Sequence, residues 1–312
     1  MTPTVPWRDV ALLAILAILA LGSWVLPSTL WPKWAGWIAR RRIAWGEAFS
    51  RDDLDTIRAI VGDRSTEWIE NSFRPSWLGH KYHGWMMVLA CQVPRRWQPK
   101  TRLIGEEHLK SALAKGQGTV LFAATLAYND LITKAALAQS GYLVSHVSMT
   151  THGFTNGGLV ARLLNPIYTH AEKRFLRERM VFHGKNTKTI NARIKAKLRD
   201  NAPVMITVTP LGRRTSVRPC LHGQVRIATG GLTHGWEAGS AVLPIFTIQR
   251  PGGQIETIIE PPLDMPAGLS KNDAVERMVS DYVPRLEAHI AEHPEQLRFA
   301  TSRQHGELLI EP

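Results

Sequence analysis

The hydrophobic period of this chain changes twice along its length. Residues 10–26, VALLAILAILALGSWVL, carry no charge. Extended through Pro27 to Trp31, the run reaches the roughly 20 residues that cross a bilayer core as a helix. The pattern then turns amphipathic: in DDLDTIRAIVG the apolar positions Leu54, Ile57, Ile60 and Val61 fall at three- and four-residue steps. That spacing predicts a helix, which Gly62 would end. A further helix is expected from Thr66 towards Cys91, in a region broken by Pro75, Pro94 and Pro99. From about residue 100, short apolar runs at 118–124, 142–147, 203–208, 240–246 and 254–260 alternate with helical stretches such as KTINARIKAKLRD. Strands alternating with helices predict an α/β domain with a mostly parallel central sheet flanked by helices. The boundaries that follow are a membrane anchor over 1–31, a basic, Trp-rich interfacial helical region over 32–99, and an α/β domain over 100–312.

Charge and tryptophan change the picture of the amino-terminal third. Lys and Arg number 38 against 26 Asp and Glu, a net charge of +12, which favours an anionic partner. Ten of the eleven tryptophans lie before residue 100. Trp prefers the membrane interface, where its ring is buried and its indole N–H stays hydrated. A membrane surface is therefore expected as the partner, and nucleic acid is not, because no reader motif accompanies the charge. Lys33, Arg40, Arg41 and Arg42 follow the apolar run, while Arg8 precedes it beside Asp9. This asymmetry argues for a signal anchor over a cleaved signal peptide, with the main domain on the cytoplasmic side; the Ala-rich run also suits a re-entrant or shallow interfacial helix. Cys91 and Cys220 stand far apart without metal-spaced neighbours and read as two reduced thiols.

The candidate chemistry lies in LFAATLAYNDLI, residues 121–132, a strand that runs into a polar turn and a helix. In open α/β sheets ligands bind beyond the carboxyl ends of strands, which singles out Thr125 and Asp130. Asp130 could act as a base if burial raised its pKa, or could cap the helix that starts near Leu131. A threonine hydroxyl is no general base. Among the histidines, His146 and His152 follow the second strand and would approach Asp130 if those strands were neighbours; His152 is the first choice as a substitute base. A basic constellation, Lys173, Arg174, Arg177 and Arg179 and again Arg213, Arg214 and Arg218, suits either phosphate binding or a solvated positive face resting on anionic lipid.

The order of several segments resembles the bacterial lipid A late acyltransferases, the lauroyl/myristoyl branch of the lysophospholipid-acyltransferase-like superfamily. The likeness covers roughly residues 10–305. It rests on ARRRIA after the apolar run, IGEEHLKSALAKGQGTVLFAAT, NPIY at 165–168, LGRRTSV at 211–217 and PEQLRFATSR at 294–303. That family carries a His, four intervening residues and an Asp or Glu, the His taking a proton from the acceptor hydroxyl. The matching positions here are Thr125 and Asp130, so the chain resembles a divergent member without the catalytic His. The family's later acidic pair falls on Val208 and Pro210 when its glycine is placed on Gly212.

The resemblance implies a glycerolipid-acyltransferase-like fold at the bacterial inner membrane, with the main domain on the cytoplasmic face. It implies transfer of a fatty acyl or related group from an acyl carrier protein or coenzyme A thioester, as co-substrate and not bound cofactor, to an amphipathic lipid or amine acceptor. One of Arg174 or Arg177 would hold a phosphate of the acceptor or of the donor's pantetheine carrier. The alternative is a catalytically degenerate lipid-binding or complex-assembly protein that kept the fold.

Overall fold

The computed structural model describes residues 7–46, 49–92, 97–150, 152–155, 158–183, 185–298 and 309–311. Its amino-terminal third is helical: α1 (Trp7–Val25), α2 (Trp31–Ala44), α3 (Arg51–Val61), α4 (Thr66–Trp68) and α5 (Arg74–Ala90). Ser50 starts α3 through a capping box. Its hydroxyl accepts the Asp53 N–H while Asp53 accepts the Ser50 N–H, at 3.2 and 3.1 Å. Ile57 and Ile60 are buried on the face that the spacing predicts, and Gly62 takes a positive φ of 82° just beyond the end. Pro75 does not break the next helix. It sits in the first turn of α5, which a π-helical turn over Ile69–Phe73 joins to α4; proline is tolerated there because a first-turn N–H has no intrahelical partner to lose.

The apolar amino-terminal run forms α1 but stops at Val25, and Pro27 with a short 3₁₀ turn over Ser28–Leu30 separates it from α2. Among the described residues no helix is long and apolar enough to cross a membrane, so the anchor expected from the sequence finds no support here. One flank of α1, including Leu16, Leu19 and Ser23, is buried, and both α1 and α2 pack on α5.

The remainder runs β1 (Thr101–Ile104), α6 (Glu106–Ala114), β2 (Thr119–Ala123), α7 (Lys134–Gln139), β3 (Val144–Met149), α8 (Gly158–Lys173) and β4 (Leu176–Phe182). It continues through α9 (Thr187–Arg199), β5 (Pro203–Thr207), β6 (Thr215–Cys220), β7 (Gly223–Ala228), α10 (Gly230–Ala238), β8 (Ala241–Gln249), β9 (Ile255–Ile259), α11 (Lys271–Glu292) and β10 (Leu309–Glu311). A central sheet of seven strands has the order β1-β9-β8-β2-β5-β3-β4 and is parallel except where β8 meets β9. β10, β7 and β6 form a small antiparallel sheet beside it. Every side chain of β2 is buried, as expected of a central strand covered on both faces.

The helical third is not a separable layer. Ile57, Ile60, Ile69, Phe73 and Trp77 share one apolar cluster with Phe122, Val204, Phe246 and α11. A second cluster joins α1, α2 and α5 to Tyr128, Leu131, Phe154 and Tyr168. Tyr128 also fastens α5 to the sheet through polar contacts. Its hydroxyl donates to Gln249 Oε1 at 3.0 Å, so the Nδ1 atoms of His80 and His83, at 2.8 and 3.0 Å, must be the donors to it.

A strap after α11, residues 294–298, runs beside the turn that leaves β2. Gln296 O accepts the Ala127 N–H at 2.8 Å, Thr125 O accepts the Arg298 N–H at 2.9 Å, and Leu297 O accepts the Trp77 indole N–H at 3.0 Å. The Gln296 side chain satisfies both backbone groups of Gln249, at 2.7 and 2.8 Å. Gln296→Ala leaves two buried backbone groups without those partners, each of which costs about 1–3 kcal/mol. A loss of about 2–4 kcal/mol is expected in urea unfolding; a change below about 0.5 kcal/mol would show that the strap does not hold the turn.

Candidate functional site

The site forms where the chain leaves the carboxyl ends of β2, β5 and β3. After β2 the backbone enters a π-helical turn over Asn129–Thr133, with Tyr128 at its amino end and no side-chain cap. Such turns, with their wider i→i+5 spacing, recur at functional sites. Asp130 therefore does not cap a helix: its carboxylate turns inward and accepts the Tyr168 hydroxyl at 3.0 Å. It also pairs with the Arg298 guanidinium supplied by the strap. β5 lies between β2 and β3, so the two strands are not the neighbours that the sequence reading required. The loop after β3 nonetheless brings His152 to the cluster.

α8 contributes the other half. Tyr168 and Glu172 are four residues apart and so share one face of that helix. Glu172 is fully buried, and its carboxylate receives Lys134 Nζ at 2.6 Å and His152 Nε2 at 2.9 and 3.0 Å. His152 retains 14 % side-chain exposure while Lys134 and Glu172 retain none, which makes the imidazole the member of this trio that solvent or a substrate can reach. Because Nε2 must donate to Glu172, a neutral His152 holds its lone pair on Nδ1. His146 lies edge-on to it, ring centroids 5.9 Å apart. Its Nε2 reaches Thr207 Oγ1 at 3.4 Å, and its buried Nδ1 has no hydrogen-bond partner among the described residues.

The charges balance. Burial alone would raise the Asp130 carboxyl, but Arg298, His152, Lys134 and His146 outweigh it and hold the group well below the usual carboxylate range. Burial likewise opposes ionisation of Glu172, and His152 and Lys134 overcome it. Burial above all, with the Lys134 charge beside it, pushes His146 far down, so that it stays neutral. Burial and the Asp130 charge raise Tyr168, which keeps its proton and donates it. Ligand atoms of Asp130, His152 and Glu172 lie within 4.8 Å of one another, a spacing that a metal ion could use. Lys134 and Arg298 already neutralise both carboxylates, however, and a divalent cation would enter against two fixed positive charges. The cluster reads as an ion-pair network, not a metal cage.

The sequence-derived candidates fall in different places. Thr125 is buried at the carboxyl end of β2, where its hydroxyl donates to Val208 O at 2.7 Å. It ties the β2 turn to the end of β5, and nothing places that hydroxyl on Asp130. Arg174 and Arg177 are not brought to the cluster. Arg174 donates to Cys91 O at 2.6 Å ahead of β4. Arg177 is exposed at the start of β4, roughly 16 Å along the strand from its carboxyl end at about 3.3 Å per residue. Arg213 and Arg214 are exposed on the loop after β5, with Arg214 reaching Asn272 at 3.3 Å.

Arg179 stands opposite His146 in the β3–β4 pairing and donates to Ser148 Oγ at 2.6 Å and Met149 O at 2.8 Å. Lys134, Glu172 and Arg298 escaped the sequence reading. The four-residue step from the Tyr of NPIY to Glu172 was the one signal that could have found a member of the trio. A scan against protein-family models finds no model that matches the chain, and a search of the curated proteins finds no matching protein.

Two predictions follow from the buried charges. Arg298→Met leaves Asp130 buried without its guanidinium and is expected to cost about 3–5 kcal/mol in chemical denaturation. Adding Asp130→Asn to that variant removes the uncompensated charge and recovers part of the loss; strictly additive losses would mean that the two side chains are not coupled. The second concerns acid. His83 is also buried, and its burial, then His80, push it down to about 3. Below the ordinary histidine value of about 6.5 the unfolded chain takes up protons that folded His83 and His146 refuse, so stability falls with pH. Between about pH 6.5 and about pH 5.5 the pair should remove roughly 2 kcal/mol. Asp130 and Glu172 add a further loss only below about pH 4, because their folded pKa values are depressed. Urea midpoints measured across this range test both steps, and flat stability down to about pH 5 would contradict the neutral buried histidines.

Proposed function

We propose that this chain is a membrane-bound acyltransferase-like protein that moves a fatty acyl or related group from a thioester to an amphipathic lipid or amine acceptor. In this reading the fold is glycerolipid-acyltransferase-like, and the missing family His at Thr125 is replaced from another strand end by His152. The observation that carries the reading is the pairing of His152 Nε2 with both oxygens of the fully buried Glu172, which leaves Nδ1 as the basic atom. Nδ1 takes the proton of the acceptor hydroxyl or amine as its oxygen or nitrogen bonds to the thioester carbonyl carbon. The tetrahedral intermediate then collapses, the carbon–sulfur bond breaks, and the imidazolium returns the proton to the departing thiolate. Glu172 stays ionised throughout, orienting the ring and stabilising its charged form. Asp130 sits beside this dyad as a fixed anion and not as the base, because Arg298 holds it ionised.

The donor is an acyl carrier protein or coenzyme A thioester used as co-substrate, and the place of action is the cytoplasmic face of a bacterial inner membrane. A second reading, a lipid-binding or assembly protein without chemistry, draws on one observation: the two positions that match the family's dyad are both engaged in the fold, Thr125 with Val208 and Asp130 with Arg298.

Lipid extracts compared by mass spectrometry, from cells with and without the gene, separate the readings. Acyl transfer predicts a product that disappears with the gene. That product should fall about 10²–10⁴-fold with His152→Gln, the usual worth of a general base, while Glu172→Gln lowers it as well. An unchanged lipid profile for His152→Gln at normal protein level would overturn the catalytic reading.

A further inference from the structure

We propose that α1 and α2 together dock the protein on the surface of an anionic bilayer, with α1 lying along the membrane plane and not across it. The apolar residues of α1 are divided between two flanks. Leu16, Leu19 and Ser23 are buried against the protein. At Gly22 the Trp34 indole approaches so closely that a Cβ would lie 2.3 Å from Nε1, which locks α1 to α2. The other flank presents Val10, Leu13, Ile18, Leu21, Trp24 and Val25 to the outside, with Leu21 60 % and Val25 70 % exposed. Those positions advance mostly in steps of three and four, so they form one stripe, roughly 22 Å long at 1.5 Å per residue. An uninterrupted apolar stripe of that length is more than a monomer's surface ordinarily leaves in water.

α2, held against α1 through Trp34, supplies the polar groups of the proposed dock. Lys33, Trp37, Arg40, Arg41 and Ala44 are exposed and again follow helical steps, with Trp45, 82 % exposed, just past the end. Trp34 and Trp37 stack at 5.2 Å, and the Arg41 guanidinium lies 5.5 Å from the Trp37 ring centroid. Across residues 7–46 the one carboxylate is Asp9, against Arg8, Lys33, Arg40, Arg41 and Arg42. A stripe for hydrocarbon beside a stripe of tryptophan and cations is what the boundary of an anionic bilayer accommodates: acyl chains take the first, and headgroups meet the second. A protein partner would have to match both. The fastened flank sets the orientation, because a helix packed on its own domain from Leu16 to Ser23 offers lipid one side only. The inference does not depend on the chemistry assigned to the site, since no member of the His152 cluster lies on this surface.

The full-length protein is mixed with vesicles of phosphatidylcholine, with and without about 30 % phosphatidylglycerol, and the bound fraction is read by flotation. Expected is binding that phosphatidylglycerol strengthens and salt weakens. Each basic residue near an anionic surface is worth about fivefold in affinity, so Arg40→Gln with Arg41→Gln should weaken binding about 20–30-fold. Leu21→Gln with Val25→Gln should abolish binding to both vesicles while circular dichroism stays that of the parent. Single cysteines at Asp9→Cys and Ser28→Cys, labelled with an impermeant maleimide on sealed vesicles, should both react from the side to which protein was added. Indifference to phosphatidylglycerol, wild-type binding of the α1 variant, or cysteines that react from opposite sides would overturn the proposal.

Discussion

The fold is constrained above all by the burial of two carboxylates at one end of a parallel sheet. Ligand atoms of Asp130, Glu172 and His152 lie within 4.8 Å of one another, and an unpaired charge on either carboxylate would be several kcal/mol too costly to keep. Each therefore has its own cation, Arg298 for the first and Lys134 for the second. Those cations come from opposite ends of the domain sequence, so the cluster cannot assemble until α7, α8 and the strap beyond α11 are in place. The strap's role follows from this. Its backbone bonds to Thr125 and Ala127 and the Gln296 clamp on Gln249 fix the position from which Arg298 reaches Asp130.

The same arrangement divides the titratable groups by task. Asp130 and Glu172 are held ionised by neighbouring cations, His146 is held neutral by burial, and Tyr168 is held protonated by burial and the anion beside it. His152 is left as the partly exposed imidazole of the group. It is connected to the amino-terminal helices by packed rings: Trp85 of α5 meets Phe154 at 5.5 Å, Phe154 meets Tyr168 at 5.0 Å, and Tyr168 meets His152 at 5.3 Å. The face of α5 that carries α1 and α2 and the loop that carries His152 thus belong to one apolar cluster, which places the site one helix away from the proposed membrane dock.

Much of this was legible in the sequence because it is written locally. The alternation after residue 100 located β2, β3, β5, β8 and β9, and the step pattern of Leu54, Ile57 and Ile60 located α3. β4 was missed because LRERMVF interrupts its apolar positions with charge. The β6–β7 hairpin was missed because its two-residue turn, Leu221–His222, lacks the glycine or asparagine that marks such turns, even though Leu221 adopts a φ of 56°. At the site, the strand end and its carboxylate were readable. The partners were not, because Lys134 and Glu172 are 38 residues apart and Asp130 and Arg298 are 168 apart. Read within its own segment, each of these charges looks like a solvated side chain. For the same reason helix capping stands beside general-base work as a reading of Asp130 in the sequence: nothing in NDLIT announces a π-helical turn. Arg174 and Arg177 were placed by resemblance, whereas strand direction puts Arg177 at the other end of β4.

The cluster is charge-balanced, with Asp130 kept ionised by Arg298, and under the proposed function the work of a base falls to His152. The most direct measurement is a carbon-13 NMR titration of the Asp130 carboxyl in the folded protein. Its chemical shift should stay at the carboxylate value as the pH is lowered to about 3, where an ordinary aspartate, with a pKa near 4, is mostly protonated. A midpoint at or above about 4 would mean that burial and not Arg298 governs the group, and the division of roles between Asp130 and His152 would fail.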